Sequence, residues 1–189
     1  MLRSMSPPRD PGRRLSADDW IQAGFAILAE GGPNALRLDR ICEYLGVTKG
    51  SFYWHFTDLP AYRTAVIESW GSLQDQDRQR FENSADLEPR ERLRHMMDAV
   101  VRPEQWALER AMRVWALTDE AVAENVRKSD GRVLRAVFQA FTDAGFDAAD
   151  AGVRSAVFFG AGMGVLHGVG PGDAPVEMQD SFLDFVLRH

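Results

Sequence analysis

Apolar residues recur along the chain with the spacing of amphipathic helices. Leu38, Ile41, Cys42 and Leu45 repeat at i, i+3, i+4 and i+7, which predicts a helix with one apolar stripe. Gly46 follows at the position where a left-handed C-cap is needed. No sustained period-two alternation is present, and no Asn-Gly or Asp-Gly turn joins two β-branched runs. The pattern therefore predicts an all-α fold.

The first helix has its own start and stop signals. It is predicted to begin at Ser16, because Ser16 and Asp19 have the spacing of a capping box. Leu15 and Trp20 occupy the two positions of a hydrophobic staple. The helix should end at 31–33, where the sequence is Gly-Gly-Pro.

A short third helix completes a helix-turn-helix. Thr48 is a good N-cap for a helix reaching Phe56, so the two helices flank a tight turn around Gly46. Phe52 and Phe56 lie four residues apart and should point into the core. In a DNA-binding helix-turn-helix the second helix enters the major groove, and Lys, Tyr and His side chains can donate to phosphate oxygens. The rest of the helix surface carries Lys49, Ser51, Tyr53, Trp54 and His55.

The segment LDRICEYLGVTKGSFYWHFTD, residues 38–58, resembles the helix-turn-helix signature of TetR-family transcriptional regulators. Phe25 and the Gly31-Gly32 stop fit the same family. The resemblance implies that 49–51 face bases and that Tyr53 and His55 hold phosphates, whereas Trp54 could instead pack against the next helix. The residues expected to contact DNA are Arg37, Thr48, Lys49, Gly50, Ser51, Tyr53, Trp54 and His55.

Two positions depart from the family pattern. Arg37 stands where the family often has Thr or Ser, and 57–59 is Thr-Asp-Leu where a lysine commonly follows the aromatic residues. The loss of a cation should weaken the grip on phosphates. Arginines of the N-terminal arm either compensate through DNA contacts or remain solvated.

The remaining chain is predicted to form a helical body. Asp58 can cap a fourth helix that runs to about Phe81, and 83–89 has the composition of a linker. The proposed domains are a flexible basic arm at 1–15, the helix-turn-helix at 16–58 and an effector-binding and dimerisation domain at 59–189. The further helices are expected at 90–101, 104–117, 120–144, 148–168 and 176–187.

The 148–168 helix suggests a homodimer. It carries no charge after Arg154, and a helix that is apolar all round should be buried on every side. A second chain is the simplest cover for it, and the resemblance implies a four-helix interface with the last helix. The glycines of one stripe permit either close helix approach or space for a ligand. The expected interface residues are Phe158, Gly160, Gly164, Phe182 and Phe185.

The body is rich in large rings and thioethers, each of which is ordinarily a core residue. The resemblance implies that this region encloses a pocket for a small, largely apolar effector, for which methionine and aromatic walls are suited. The expected effector contacts are Trp70, Met97, Trp106, Trp115, Phe138, Phe159, Met163 and His167.

Composition narrows the functional classes. The net charge of −6 argues against nucleic acid, but residues 1–56 are near neutral, with seven Lys/Arg against six Asp/Glu. Cys42 is the single cysteine and should be a buried hydrophobe in a reducing cytoplasm. The first fifteen residues lack the apolar stretch of a secretion signal, and 155–172 holds too many glycines to favour a membrane span.

Enzymatic signatures are not found in the sequence. The glycines of 160–164 lack a preceding strand and the sixth-position glycine of a dinucleotide site. The four histidines are far apart and have no zinc spacing, so no metal or other cofactor is expected. We therefore expect a cytoplasmic, homodimeric, ligand-responsive DNA-binding regulator, most simply a repressor of an operator in double-stranded DNA. The alternative is a helical ligand-binding or dimerisation protein that has lost DNA binding.

Overall fold

The computed structural model describes residues 15–82, 87–100, 103–168 and 176–188. Within these ranges the secondary structure is helical, which confirms the predicted all-α fold. The helices are α1 (Ala17–Gly31), a 3-10 turn (Pro33–Ala35), α2 (Leu38–Leu45), α3 (Lys49–Phe52), α4 (Leu59–Glu82), α5 (Pro89–Val100), α6 (Pro103–Ala116), α7 (Glu120–Asp143), α8 (Ala148–Gly168) and α9 (Val176–Val186).

The predicted capping signals operate in the first two helices. The Ser16 side chain accepts a hydrogen bond from the Asp19 backbone N–H, while the Ser16 N–H donates to the Asp19 carboxylate at 2.7 Å. Gly46 closes α2 in the left-handed region, with φ 58° and ψ 44°. A side chain at Gly46 would be strained in this conformation, which is why glycine stands there.

Helix α3 is shorter than predicted. It ends at Phe52 rather than Phe56, because the His55 N–H bonds back to the Phe52 carbonyl at 2.9 Å and tightens the chain into a turn. Thr48 occupies the N-cap position but makes no side-chain capping hydrogen bond. The boundaries of α4 to α9 lie within one residue of the expected ones. Most of the predicted arm (1–14), most of the linker (83–86) and the joint at 169–175 lie outside the described residues.

The first core joins the helix-turn-helix to the body. Apolar residues of α1, α2 and α3 share it with the first half of α4, with α6 and with the start of α7. Cys42 is buried in this core, as predicted, and burial raises the pKa of its thiol. The core's largest fully buried side chains are Trp20, Ile27, Leu28, Leu36, Ile41, Phe52, Tyr62, Trp70 and Met112.

The second core lies between α5, the end of α7, α8 and α9, and includes Phe141, Phe158 and Leu183. Helix α8 presents one side to this core and leaves its other side open within the single chain. Its opposite side leaves Val153 65% and Val157 46% exposed. No helix among the described residues is long and apolar enough to cross a membrane.

Candidate nucleic-acid interface and its link to the helical body

Phe52 fixes the orientation of α3. Its ring is fully buried and lies at 5.5–5.6 Å, centroid to centroid, from Trp20, Phe56 and Tyr62. The contacts with Trp20 and Tyr62 are edge-to-face and add to the stabilisation from burial. The helix therefore cannot rotate without breaking the first core, so its outward surface is held in place.

The outward surface of α3 and of the turn that follows carries the predicted DNA contacts. Gly50 and His55 are exposed, Tyr53 is 58% exposed and Trp54 is 89% exposed. This placement argues against the alternative in which Trp54 packs against the next helix. Thr48 and Arg37 are also exposed, whereas Ser51 is half-buried. The structure thus brings the predicted set onto one end of the molecule.

Lys49 does not point freely into solvent. Its Nζ lies 2.6 Å from Asp39 Oδ1 in the first turn of α2. The hydrogen bond from Lys49 and its positive charge, with a smaller contribution from Arg37, hold the pKa of Asp39 below its ordinary value. Asp39 was not among the predicted site residues, because nothing in the sequence signals its contact with Lys49.

Two further cations near this surface, Arg40 and Arg63, also have partners. Arg40 lies 3.3 Å from both Glu30 and Glu43. Arg63 of α4 donates to the Leu36 carbonyl at 3.1 Å. The helix-turn-helix therefore presents hydrogen-bond donors whose charge is partly compensated within the chain.

Helix α4 connects this surface to the body. The buried Tyr62 hydroxyl donates to the Trp20 carbonyl at 2.7 Å, and Arg63 holds the loop before α2. Gly24 on α1 is needed here, because a Cβ would lie 2.5 Å from the Tyr62 hydroxyl. Farther along, α4 places Trp70 in the same core. A shift of α4 would therefore carry the helix-turn-helix with it.

An ion cluster, formed by Glu109, Arg113 and Asp130, lies beside Trp70. Arg113 bonds to Glu109 at 2.9 Å and to both Asp130 oxygens at 2.5 and 3.0 Å. Trp70 also hydrogen-bonds to Glu109, but burial outweighs these contacts and raises the pKa of Glu109. The cluster links α6 to α7, and Trp70 joins it to α4. It was not predicted, because Asp130 is distant in sequence from the i, i+4 pair of Glu109 and Arg113.

The predicted effector contacts are divided between the two cores. Trp70 and Trp115 are buried in the first core, whereas Met97 and Phe138 are half-buried against the second. Trp106, Phe159 and Met163 are half-buried, and His167 is exposed. The eight residues therefore differ in burial, and four of them are shared between the two cores.

The predicted interface residues also separate. Phe158 faces the second core, where it stacks on the half-buried Phe182 at 5.8 Å. Phe185 is 64% exposed. Gly160 and Gly164 are exposed, and among the described residues nothing lies within 4 Å of a Cβ built on either. The glycine stripe thus faces outward rather than into the subunit.

Comparison with known proteins agrees with this geometry. The family model of bacterial regulatory proteins of the tetR family matches residues 21–58. No curated protein matches the chain.

Solved structures extend the likeness to the body. A transcriptional regulator from Rhodococcus sp. Rha1 is 19% identical with a TM-score of 0.70, covering 92% of this chain and 94% of that one. A TetR-family regulator from Mesorhizobium loti is 16% identical with a TM-score of 0.69, covering 90% and 92%. A regulator from Saccharomonospora viridis in complex with choline is 15% identical with a TM-score of 0.70, covering 92% and 96%. Residues 21–58 therefore match the helix-turn-helix of tetR-family regulators, and the solved structures show that about nine-tenths of the chain shares the fold of such regulators.

Proposed function

We propose that the chain binds an operator in double-stranded DNA as a cytoplasmic homodimer and releases it when a small effector binds the body. The observation that carries the proposal is the surface of α3 and of the turn after it, where Tyr53, Trp54 and His55 are exposed while Phe52 is locked in the core. A rigid helix with outward-facing donors suits entry into the major groove. Repression is the simplest regulatory outcome, because a protein bound at an operator obstructs transcription.

A homodimer is supported by the outward side of α8. Val153 and Val157 are exposed there, and Gly160 and Gly164 allow a facing helix to approach closely. Phe185 of α9 adds an exposed ring. Two recognition helices reach successive major grooves only if the dimer holds them about 34–36 Å apart. The open space over the glycines favours their role in helix contact over a role in ligand binding.

The effector is proposed to bind among the half-buried residues of the body: Met97, Trp106, Phe138, Phe159 and Met163. Trp70 and Trp115 would respond from the adjoining first core, and His167 is the most exposed of the predicted contacts. The Saccharomonospora regulator holds choline, which supports a small-molecule role for this fold. For this chain, the rings and thioethers favour a largely apolar ligand.

The proposed mechanism is a population shift transmitted by α4. The helix is attached to α1 and to the loop before α2 through Tyr62 and Arg63, and to the ion cluster through Trp70. An effector that moves α4 changes the position of α3. To switch the protein from mostly DNA-competent to mostly incompetent, the effector must bind the second state about 10⁴-fold more tightly.

The second candidate is a ligand-binding dimer that no longer binds DNA. It is favoured by the pairing of Lys49 with Asp39 and of Arg40 with Glu30 and Glu43. These contacts reduce the positive charge available to phosphates. The two candidates differ in measured DNA affinity and in its salt dependence.

The experiment is selection of bound sequences from random double-stranded DNA, followed by affinity measurements in a salt series. Recovery of a two-fold symmetric sequence with strong salt dependence supports the regulator. Failure to enrich any sequence, with a stable dimer in sedimentation, supports the second candidate.

Effector binding is tested by screening apolar and aromatic compounds for tryptophan quenching. A hundredfold excess over Kd should stabilise the fold by about 2.7 kcal/mol. The same compound must weaken operator affinity, because linkage is reciprocal. Gly164→Leu should weaken the dimer if the glycine stripe is a helix contact, and should abolish only the response if it is ligand space.

A further inference from the structure

Lys49 and Asp39 form an ion pair at the start of both helices of the helix-turn-helix. Asp39 lies in the first turn of α2 and Lys49 is the first residue of α3. The Nζ–Oδ1 distance is 2.6 Å. The Lys49 side chain remains 60% exposed and the Asp39 side chain 78% exposed. An ion pair this exposed contributes little to stability, so the fold alone does not account for it.

The chemistry of the carboxylate limits what it can contact on DNA. A carboxylate is repelled by phosphates, and it can only accept hydrogen bonds. In the major groove the donors are the amino groups of cytosine N4 and adenine N6. An acidic side chain at this edge of the interface therefore weakens binding to DNA in general, unless a base offers it a donor.

Lys49 supplies the hydrogen-bond donors that the Asp39 carboxylate lacks. Its ammonium has three donors, of which one is used by Asp39, so two remain. Guanine presents two acceptors in the major groove, O6 and N7, next to the cytosine amino group of the same base pair. The two remaining donors of Lys49 match the adjacent O6 and N7 of guanine, and the Asp39 carboxylate matches the neighbouring cytosine amino group. In an A·T pair the adenine amino group separates the two acceptors, adenine N7 and thymine O4, so the same two donors cannot reach adjacent acceptors.

We propose that Asp39 is a specificity-determining residue of the DNA interface, which accepts from cytosine N4 while Lys49 donates to the guanine of the same base pair. The inference rests on the proposed DNA-binding function. The ion pair holds Lys49 away from phosphates until a G·C pair satisfies both partners. Asp39 thus directs Lys49 toward a base instead of toward phosphates.

Helix α2 offers a matched control in Glu43. Its side chain is 73% exposed and pairs with Arg40 at 3.3 Å, so Glu43→Ala and Asp39→Ala each remove one exposed negative charge from the same helix. Both variants should gain affinity for non-cognate DNA by a similar factor. Only Asp39→Ala should change the preference for a base.

The test uses the full chain as wild type, Asp39→Ala, Asp39→Asn and Glu43→Ala, each checked for its helix content by circular dichroism. Each protein is taken through selection from random DNA. Its affinity is then measured on the selected site and on the four base pairs at each position. We expect wild type and Glu43→Ala to prefer G·C at one position per half-site by roughly tenfold or more. Asp39→Ala should keep less than threefold preference there and leave the other positions unchanged.

Two outcomes would overturn the inference: Asp39→Ala could retain the tenfold preference, or it could alter all positions equally. Asp39→Asn keeps an acceptor oxygen for cytosine N4 and should therefore retain more of the preference than Asp39→Ala. A wild-type protein that enriches no sequence would remove the proposed DNA-binding function as well. A wild type that enriches a site with an Asp39-independent preference would remove this inference alone.

Discussion

The helix-turn-helix and the α8–α9 pair expose different kinds of side chain to solvent. In the helix-turn-helix the rings of Trp20 and Phe52 are buried, while the residues left outside are mostly polar or polar-tipped. In α8 and α9 the exposed residues include Val153, Val157 and Phe185, which have no polar group. The first surface suits a hydrated, charged partner, and the second suits another apolar protein surface.

The surroundings of the two cores also differ in how charge is accommodated. Beside the first core the ion cluster of Glu109, Arg113 and Asp130 is largely buried, so each member depends on the others. Beside the second core, Arg92 pairs with Asp143 at 2.6 Å, but the Asp143 side chain is 39% exposed. Charge beside the first core is therefore tied to the packing of three helices, whereas beside the second core the acidic partner of the buried Arg92 reaches solvent.

The largest effect should follow from removing the ring that anchors α3. Phe52→Ala should lower the free energy of unfolding by about 3–5 kcal/mol, because it leaves a cavity between Trp20, Phe56 and Tyr62. Urea unfolding followed by circular dichroism measures the change.

Trp54→Ala is the control, since its ring is 89% exposed. We expect it to change the free energy of unfolding by no more than about 0.5 kcal/mol. Equal losses in the two variants would mean that α3 is not held by the first core.

The contrast between the regions explains what the sequence could predict. Local signals were sufficient where one or two side chains decide the backbone, as with the Ser16 capping box and the left-handed Gly46. The predicted length of α3 was wrong, because the turn after Phe52 depends on how the rings pack rather than on a capping residue. Even so, the exposed residues of α3 were identified, since Phe52 and Phe56 defined the inward side.

Long-range pairing was beyond sequence reasoning. The contacts of Asp39 with Lys49 and of Asp130 with Arg113 join residues that no periodicity relates. For α8, the absence of charge predicted an apolar helix but not which side faces its own core. Phe158 was expected at the dimer interface, yet it points inward because α8 turns that stripe toward α7 and α9.

The second prediction tests the outward side of α8. Val157→Asp should leave the subunit folded, because this side chain is already 46% exposed in the single chain. It should raise the dimer dissociation constant more than about a hundredfold, since an unpaired charge would be buried at the contact. Sedimentation velocity over a range of concentrations measures the constant.

Val133→Asp provides the comparison, because Val133 is 40% exposed and the substitution makes the same chemical change on another helix, α7. It should remain as dimeric as the wild type. Phe182→Asp, in contrast to both valine variants, is expected to unfold the subunit, because Phe182 stacks on Phe158. If Val157→Asp and Val133→Asp behaved alike, the dimer would have to use another surface.

The third prediction separates the two ion systems by pH. Burial raises the pKa of Glu109 above its ordinary 4.5, so the folded state binds more protons than the unfolded state above that pH. The contribution of Glu109 to the free energy of unfolding therefore falls as pH rises through this window. Glu109→Gln lacks the titration, so the stability of this variant relative to wild type should increase with pH. Urea unfolding from pH 4 to about 8 measures the trend.

Asp143→Asn should show the opposite sign. The hydrogen bonds from Arg92 and Gln139 lower the pKa of Asp143 below its ordinary 3.8, so its stabilising contribution is present above that pH and is lost in more acidic solution. Relative to wild type, Asp143→Asn should lose stability as pH rises toward 3.8, which urea unfolding from about pH 2 to about pH 5 measures. The same trend in both variants would show that Glu109 is less buried than the structure places it.

The smallest effect concerns one hydroxyl on the DNA-facing surface. Tyr53→Phe should leave stability unchanged, because the ring is 58% exposed and its edge contact with Phe52 at 5.5 Å is retained. It should weaken operator binding by about 0.5–1.5 kcal/mol, the usual cost of one lost hydrogen bond. Tyr44→Phe makes the same change on the half-buried Tyr44 of α2 and should bind as the wild type does. Both affinities are measured on the selected operator at one salt concentration, because a contact to phosphate is sensitive to ionic strength. Equal affinity of the two variants would place the Tyr53 hydroxyl outside the contact with DNA, and the surface of α3 would then bind through its remaining donors.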